Sequence, residues 1–202
     1  MMTLLLAPQV MTILKPLLEF DHRLFEKMNG VWINPFFDLI FPLLLREEIW
    51  YPLYLFLLAF ALYNFRLKGW WWLATLIMTV IISDLICSLL FKSLIHRFRP
   101  CQNPDMMDQV RLLLNYCPAH SSFPSSPAAN HFAAAWFIFI TLNQTGSWRW
   151  LLFPWAIVVG YTQVYVGVNY PLDVAAGFIL GTLMGLLMSR FFKMQFGVLS
   201  IK

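Results

Sequence analysis

From Trp150 to Leu172 the chain runs without a charged side chain, and residues 49–65, 69–83, 118–148 and 174–189 do the same. A hydrocarbon core about 30 Å thick is crossed by about 20 mostly apolar residues in helical form. These stretches therefore read as five spans, the second continuing past Asp84 to Phe91. With 60% hydrophobic and 12% charged residues, the 202-residue chain leaves no soluble domain over. The fold class is an all-α polytopic membrane protein.

The first 45 residues read differently. Leu14, Leu17, Leu18, Leu24, Phe25 and Met28 recur among Lys15, Glu19, Asp21, Arg23, Glu26 and Lys27. That pattern predicts an amphipathic helix lying in the membrane interface. The next apolar run, "VWINPFFDLIFPLLL", carries Asp38 and Pro42 and is too short for a comfortable span, so a re-entrant or interfacial helix is expected. Residues 1–45 are thus an N-terminal interfacial region and 46–202 a transmembrane domain; a sixth span within the N-terminal region is the alternative. The opening "MMTLLLA" lacks the basic start and cleavage site of a signal peptide.

Five spans put Arg66, Lys68, Arg149, Arg190, Lys193 and Lys202 on one face with no acidic residue among them, which marks that face as cytoplasmic. On the other face Lys92, Arg97, Arg99 and Arg111 are mixed with Asp105 and Asp108. Cys101 and Cys117 bracket that outer loop, and an oxidising compartment would allow them to pair; two free thiols are the other reading.

Three polar clusters fall on the outer face. Lys92 and Arg99 stand seven positions apart, and on a continuing helix they share a side, with His96 between them. In "FPSSPAANHF", Ser125 or Ser126 can cap a helix whose first position is Pro127, leaving backbone N–H groups free to meet an anion. In "YTQVYVGVNYPLDV", Pro171 opens a further helix with Asp173 in its first turn. Each cluster alone has an ordinary explanation as a snorkelling cation, a cap or an acid at a helix start. Two cations, a serine-rich helix start and a carboxylate on one face together predict a phosphate site.

The chain resembles the type 2 phosphatidic acid phosphatase superfamily of membrane lipid phosphatases from about Glu19 to Phe192. "KSLIHRFRP" carries Lys92, Arg99 and Pro100 at the family's spacing. "PSSP" carries Pro124, Ser125 and Ser126, with Pro127 where the family has its acid histidine. "TQVYVGVNYPLD" has Thr162 and Gln163 at the Ser-Arg positions, Asn169 at the nucleophile histidine's position and Asp173 at the aspartate's. The resemblance implies a bundle of about five to six transmembrane helices. It also implies phosphate binding by Lys92, Arg99, Ser125 and Ser126, with Gln163 a weakened ligand and Asp173 bonded to whatever occupies position 169.

The departures bear on chemistry. The lone pair of the Asn169 amide nitrogen is delocalised, so it cannot attack phosphorus as imidazole does. Pro127 offers no acid, and general acid assistance is worth about 10² to 10⁴ in rate. Gln163 lacks the charged fork of arginine. His131 and His120 are the nearby histidines, expected to be a buried hydrogen-bonded group and a surface group.

The reading is an integral membrane phosphatase for a lipid phosphate or diphosphate, such as a polyprenyl pyrophosphate, phosphatidylglycerol phosphate or lipid A phosphate, catalytically disabled in this chain. The alternatives are a non-catalytic lipid-phosphate-binding pseudoenzyme or partner subunit, and a lipid translocator suggested by "GFILGTLMG", although such glycines more often serve close helix packing. The expected partners are a phosphorylated membrane lipid and the bilayer of a bacterial inner membrane, with the site facing out of the cytoplasm. No nucleic acid, cofactor or metal is expected, and the oligomeric state is left open.

Overall fold

The computed structural model describes residues 8–199, so residues 1–7 and 200–202 lie outside it. Among the described residues every regular element is helical: α1 Pro8–Glu26, α2 Pro35–Leu44, α3 Tyr51–Phe65, α4 Leu67–Leu85, α5 Lys92–Leu94, α6 Ser126–Thr141, α7 Leu152–Tyr165 and α8 Pro171–Phe196. The apolar runs Glu47–Phe65, Leu67–Leu94 and Pro171–Phe196 are each long enough to cross a membrane. A π-helical stretch, Ile86–Phe91, joins α4 to α5 and completes the second run. The shorter α6 and α7 complete a bundle of five.

The close packing of α6 against α8 sets the geometry of the site. Gly177, Gly181 and Gly185 recur every fourth residue and so face one side of α8. A β-carbon at Gly181 would stand within van der Waals overlap of the Ala129 carbonyl oxygen, and one at Gly185 would come 2.6 Å from that of Ala133. The matching face of α6 is built from the buried Ala128, Ala129 and Ala133. These glycines therefore act as close-packing residues, as the sequence suggested. On its other side α6 meets α4, where the buried Trp72 indole donates to Thr141 Oγ1 at 2.8 Å.

The N-terminal region packs onto the end of this bundle where α6 and α8 begin. Asn29 is buried, its Nδ2 donating to the carbonyls of Tyr165 and Arg111 while its Oδ1 accepts from the Arg111 amide. Asp38 on α2 accepts from Arg111 Nη1 and from the Tyr165 hydroxyl, both at 2.6 Å. The Tyr165 hydrogen bond first, then Arg111, hold the Asp38 carboxyl below its usual value of 3.8. A depressed carboxylate contributes stability above that usual value and loses it as pH falls through the lower folded value. Asp38→Asn should therefore melt below the parent at neutral pH, and the two melting curves should converge below about pH 4.

Candidate active site

The second span stops being helical at Leu94, and residues 95–99 have no regular structure, with Ile95 and Arg99 extended. Lys92 and Arg99 therefore do not share a helix face, contrary to the sequence expectation. Pro100 disfavours helical backbone at the residue before it, and Arg99 is accordingly extended, at φ −72° and ψ 155°. The segment instead carries Arg99 across this end of the bundle to the loop before α8. There its Nε donates to the His120 carbonyl at 2.9 Å, and its Nη1 donates to the Val168 carbonyl at 2.9 Å and to Asn169 Oδ1 at 3.3 Å. Burial draws the Arg99 guanidinium below its ordinary value, with Asp173 opposing that shift.

Lys92 reaches the start of α6, where its Nζ donates to Ser126 Oγ at 2.8 Å. Helix α6 begins at Ser126, with Ser125 as N-cap, so Pro127 sits one position later than expected. Ser125 makes no side-chain cap bond, and its buried hydroxyl has no partner among the described residues. Its amide donates to the Asp173 carbonyl at 3.0 Å, which pins the start of α6 to the first turn of α8. The first intrahelical bond of α6 is Ala129 N to Ser125 O, leaving the amides of Ser126 and Ala128 ahead of the ladder.

Asn169 lies beyond a turn at Gly167, whose φ of +90° is open to glycine at no steric cost. The amides of Val168 and Asn169 both donate to the Gln163 carbonyl at 3.1 Å, so this turn folds back on the buried Gln163. The Asn169 side chain bridges two segments: Nδ2 donates to the Ser122 carbonyl at 2.8 Å while Oδ1 accepts from Arg99.

Asp173 does not bond to Asn169, which corrects the partner inferred for it. Its Oδ2 accepts from the Tyr170 amide at 2.9 Å and its Oδ1 from Arg97 Nη1 at 2.5 Å. The other Arg97 nitrogen, Nη2, donates to Asp21 Oδ2 at 2.5 Å, and Asp21 Oδ1 accepts from the Leu172 amide at 2.8 Å. A full positive charge outcompetes a neutral amide for a buried carboxylate. Both carboxylates are fully buried, and the Arg97 side chain is 9% exposed. Burial alone would depress Arg97, but Asp173 and Asp21 hold it above its ordinary value. Its guanidinium also lies 4.1 Å over the Tyr170 ring, on which His22 of α1 stacks at 5.0 Å.

Sequence reasoning missed Asp21, Arg97 and Ser122. A signal for Asp21 was present: it falls in the stripe Leu14, Leu18, Phe25, Met28, where an acid facing inward needs a buried partner. Of the two spare histidines, His131 bonds through Nδ1 to the Pro127 carbonyl at 2.8 Å and packs edge-on against Trp50 and Trp155, while His120 is exposed. The loop between α5 and α6 carries a disulfide between Cys101 and Cys117.

The sequence pattern of the PAP2 superfamily matches residues 68–196. This chain belongs to the PAP2 superfamily. A lipid A 4'-phosphatase of Bacteroides thetaiotaomicron is 31% identical over 169 residues, covering 81% of this chain and 72% of that one. An undecaprenyl-diphosphatase of Sulfolobus acidocaldarius is 33% identical over 141 residues, covering 68% and 60%. The crystal structure of Aquifex aeolicus LpxE superposes with a TM-score of 0.63 at 26% identity, over 85% of this chain and 95% of that one. The structure gathers Lys92, Arg99, Ser125, Ser126, Asn169 and Asp173 at one end of the bundle.

Proposed function

We propose that this protein binds the phosphate or diphosphate of a membrane lipid on the extracytoplasmic face, on a PAP2 phosphatase framework that cannot complete the phosphohistidine reaction. The observation that carries the reading is the convergence of Lys92, bonded to Ser126 at 2.8 Å, with Arg99 and the free amides of the α6 start around Asn169. An ammonium, a guanidinium and helix-start N–H groups are the donors that hold the oxygens of a phosphoryl group. The pairing of Cys101 with Cys117 supports an oxidising compartment on that side, and so does the basic charge at the opposite end.

In a working PAP2 site a histidine attacks phosphorus and a second histidine protonates the leaving alkoxide. Here Lys92, Arg99 and the α6 start keep the phosphate-gripping groups except at Gln163, where an amide replaces a guanidinium, and the two histidines that move electrons and protons are absent. Asn169 instead serves as a brace between Arg99 and Ser122. A lipid phosphate would accordingly be held and turned over slowly or not at all.

The test compares phosphate release from lipid A and from undecaprenyl diphosphate in mixed micelles by the parent and by the triple variant Pro127→His/Gln163→Arg/Asn169→His. Release by the triple variant at least ~10² above the parent is expected, given what acid assistance alone contributes. Binding of the same lipids by the parent should be lost in Lys92→Met/Arg99→Met. Brisk release by the parent would overturn the disabled reading, and parent binding indifferent to Lys92 and Arg99 would overturn the site.

A further inference from the structure

A second feature lies at the opposite end of the same two helices. Asp173 and Lys193 are twenty residues apart on α8, a rise of about 30 Å, which is the thickness of the hydrocarbon core. There a groove of about 690 Å³ runs between α6 and α8, lined by Ile140, Leu183, Met184, Leu187, Arg190 and Lys193 among others. That size falls within the range of sites that take a small ligand. The groove opens because the glycine contacts end at Gly185, where α8 still touches Ala133 and Trp136. Beyond that point α8 carries large side chains and outlasts α6, which stops at Thr141.

Two properties specify what fits the groove. Its walls are apolar and membrane-facing, with Leu183 and Leu187 both at least half exposed. Its end is cationic: the ion pairs among the described residues involve neither Arg190 nor Lys193. Past Asp173, α8 contains no acid, and the neighbouring loops at this end add Arg66, Lys68 and Arg149. An apolar trough ending in unpaired cations complements a molecule with an acyl chain and an anionic head.

We propose that this groove binds one anionic phospholipid from the leaflet opposite the pocket. An acyl chain lies along Leu183, Met184 and Leu187, and the phosphate rests on Arg190 and Lys193. The site differs from the Lys92 pocket in position and in chemistry, since it holds the lipid by a chain as well as by charge.

The experiment is native mass spectrometry of the detergent-purified chain titrated with phosphatidylglycerol or phosphatidylcholine. The parent should retain one phosphatidylglycerol at least about tenfold more strongly than phosphatidylcholine, the scale of a lost charge-assisted contact. Arg190→Gln/Lys193→Gln should abolish that preference, and Leu187→Trp, which fills the trough without changing charge, should weaken retention of both lipids. Arg66→Gln/Lys68→Gln, on the same face but outside the groove, should leave the preference intact. No preference in the parent would overturn the proposal. So would equal loss in the two inner-face double variants, or retention unaffected by Leu187→Trp.

Discussion

Arg97→Met should destabilise the protein by on the order of 3–5 kcal/mol, the cost of leaving buried charges without their partner. Arg97 joins two fully buried carboxylates, Asp21 and Asp173, each 76 residues from it in opposite directions along the chain. Its single charge meets two, and the excess is taken up by the Leu172 and Tyr170 amides at the start of α8. Removing the guanidinium forces both acids to take up protons or draw in water. Thermal melts in detergent at neutral pH should show the loss. Arg97→Met/Asp21→Asn/Asp173→Asn, which neutralises the whole triad, should recover most of it. A single variant that melts with the parent would mean that the triad does not form.

The second large effect concerns the contact of α6 with α8. In Gly181→Ala the new methyl would overlap the Ala129 carbonyl, a backbone atom that no side-chain rotation can move away. Either the helices separate or α8 slides, and overpacking of this kind costs about 1–3 kcal/mol. The bond between the Ser125 amide and the Asp173 carbonyl spans those helices at 3.0 Å, so the shift reaches the pocket. Binding of lipid phosphate should weaken along with the melting temperature. Gly30→Ala is the control, because nothing lies within 4 Å of the added carbon. If both alanine variants behave like the parent, the close approach of α6 and α8 is refuted.

The parts of the fold written in local pattern were legible in the sequence. Uncharged stretches marked the spans, and the order of the polar clusters placed Lys92, Ser126 and Asp173 on one face. The spacing of Gly177, Gly181 and Gly185 marked a packing seam. Pairings between distant segments were not legible. The helical register assumed for Arg99 failed because helix ends depend on backbone preferences over a few residues, and here Pro100 and the extended Ile95 and Arg99 before it prevailed. The Asp21–Arg97–Asp173 triad was hidden because Asp21 sits among charged neighbours that do face outward, such as Glu19 and Arg23. Only the three-dimensional position of α1 distinguishes the buried acid from the exposed ones.

Because α6 and α8 are pressed together while running in the same direction, their peptide dipoles point the same way, and like poles sit side by side. At α8 the positive pole is offset by Asp173 and Asp21, whereas the first turn of α6 contains no acid and faces the ammonium of Lys92. The uncompensated field at Ser126 is thus a standing strain on the bundle. An oxyanion seated there relieves it, so the ligand should raise the melting temperature as well as being held.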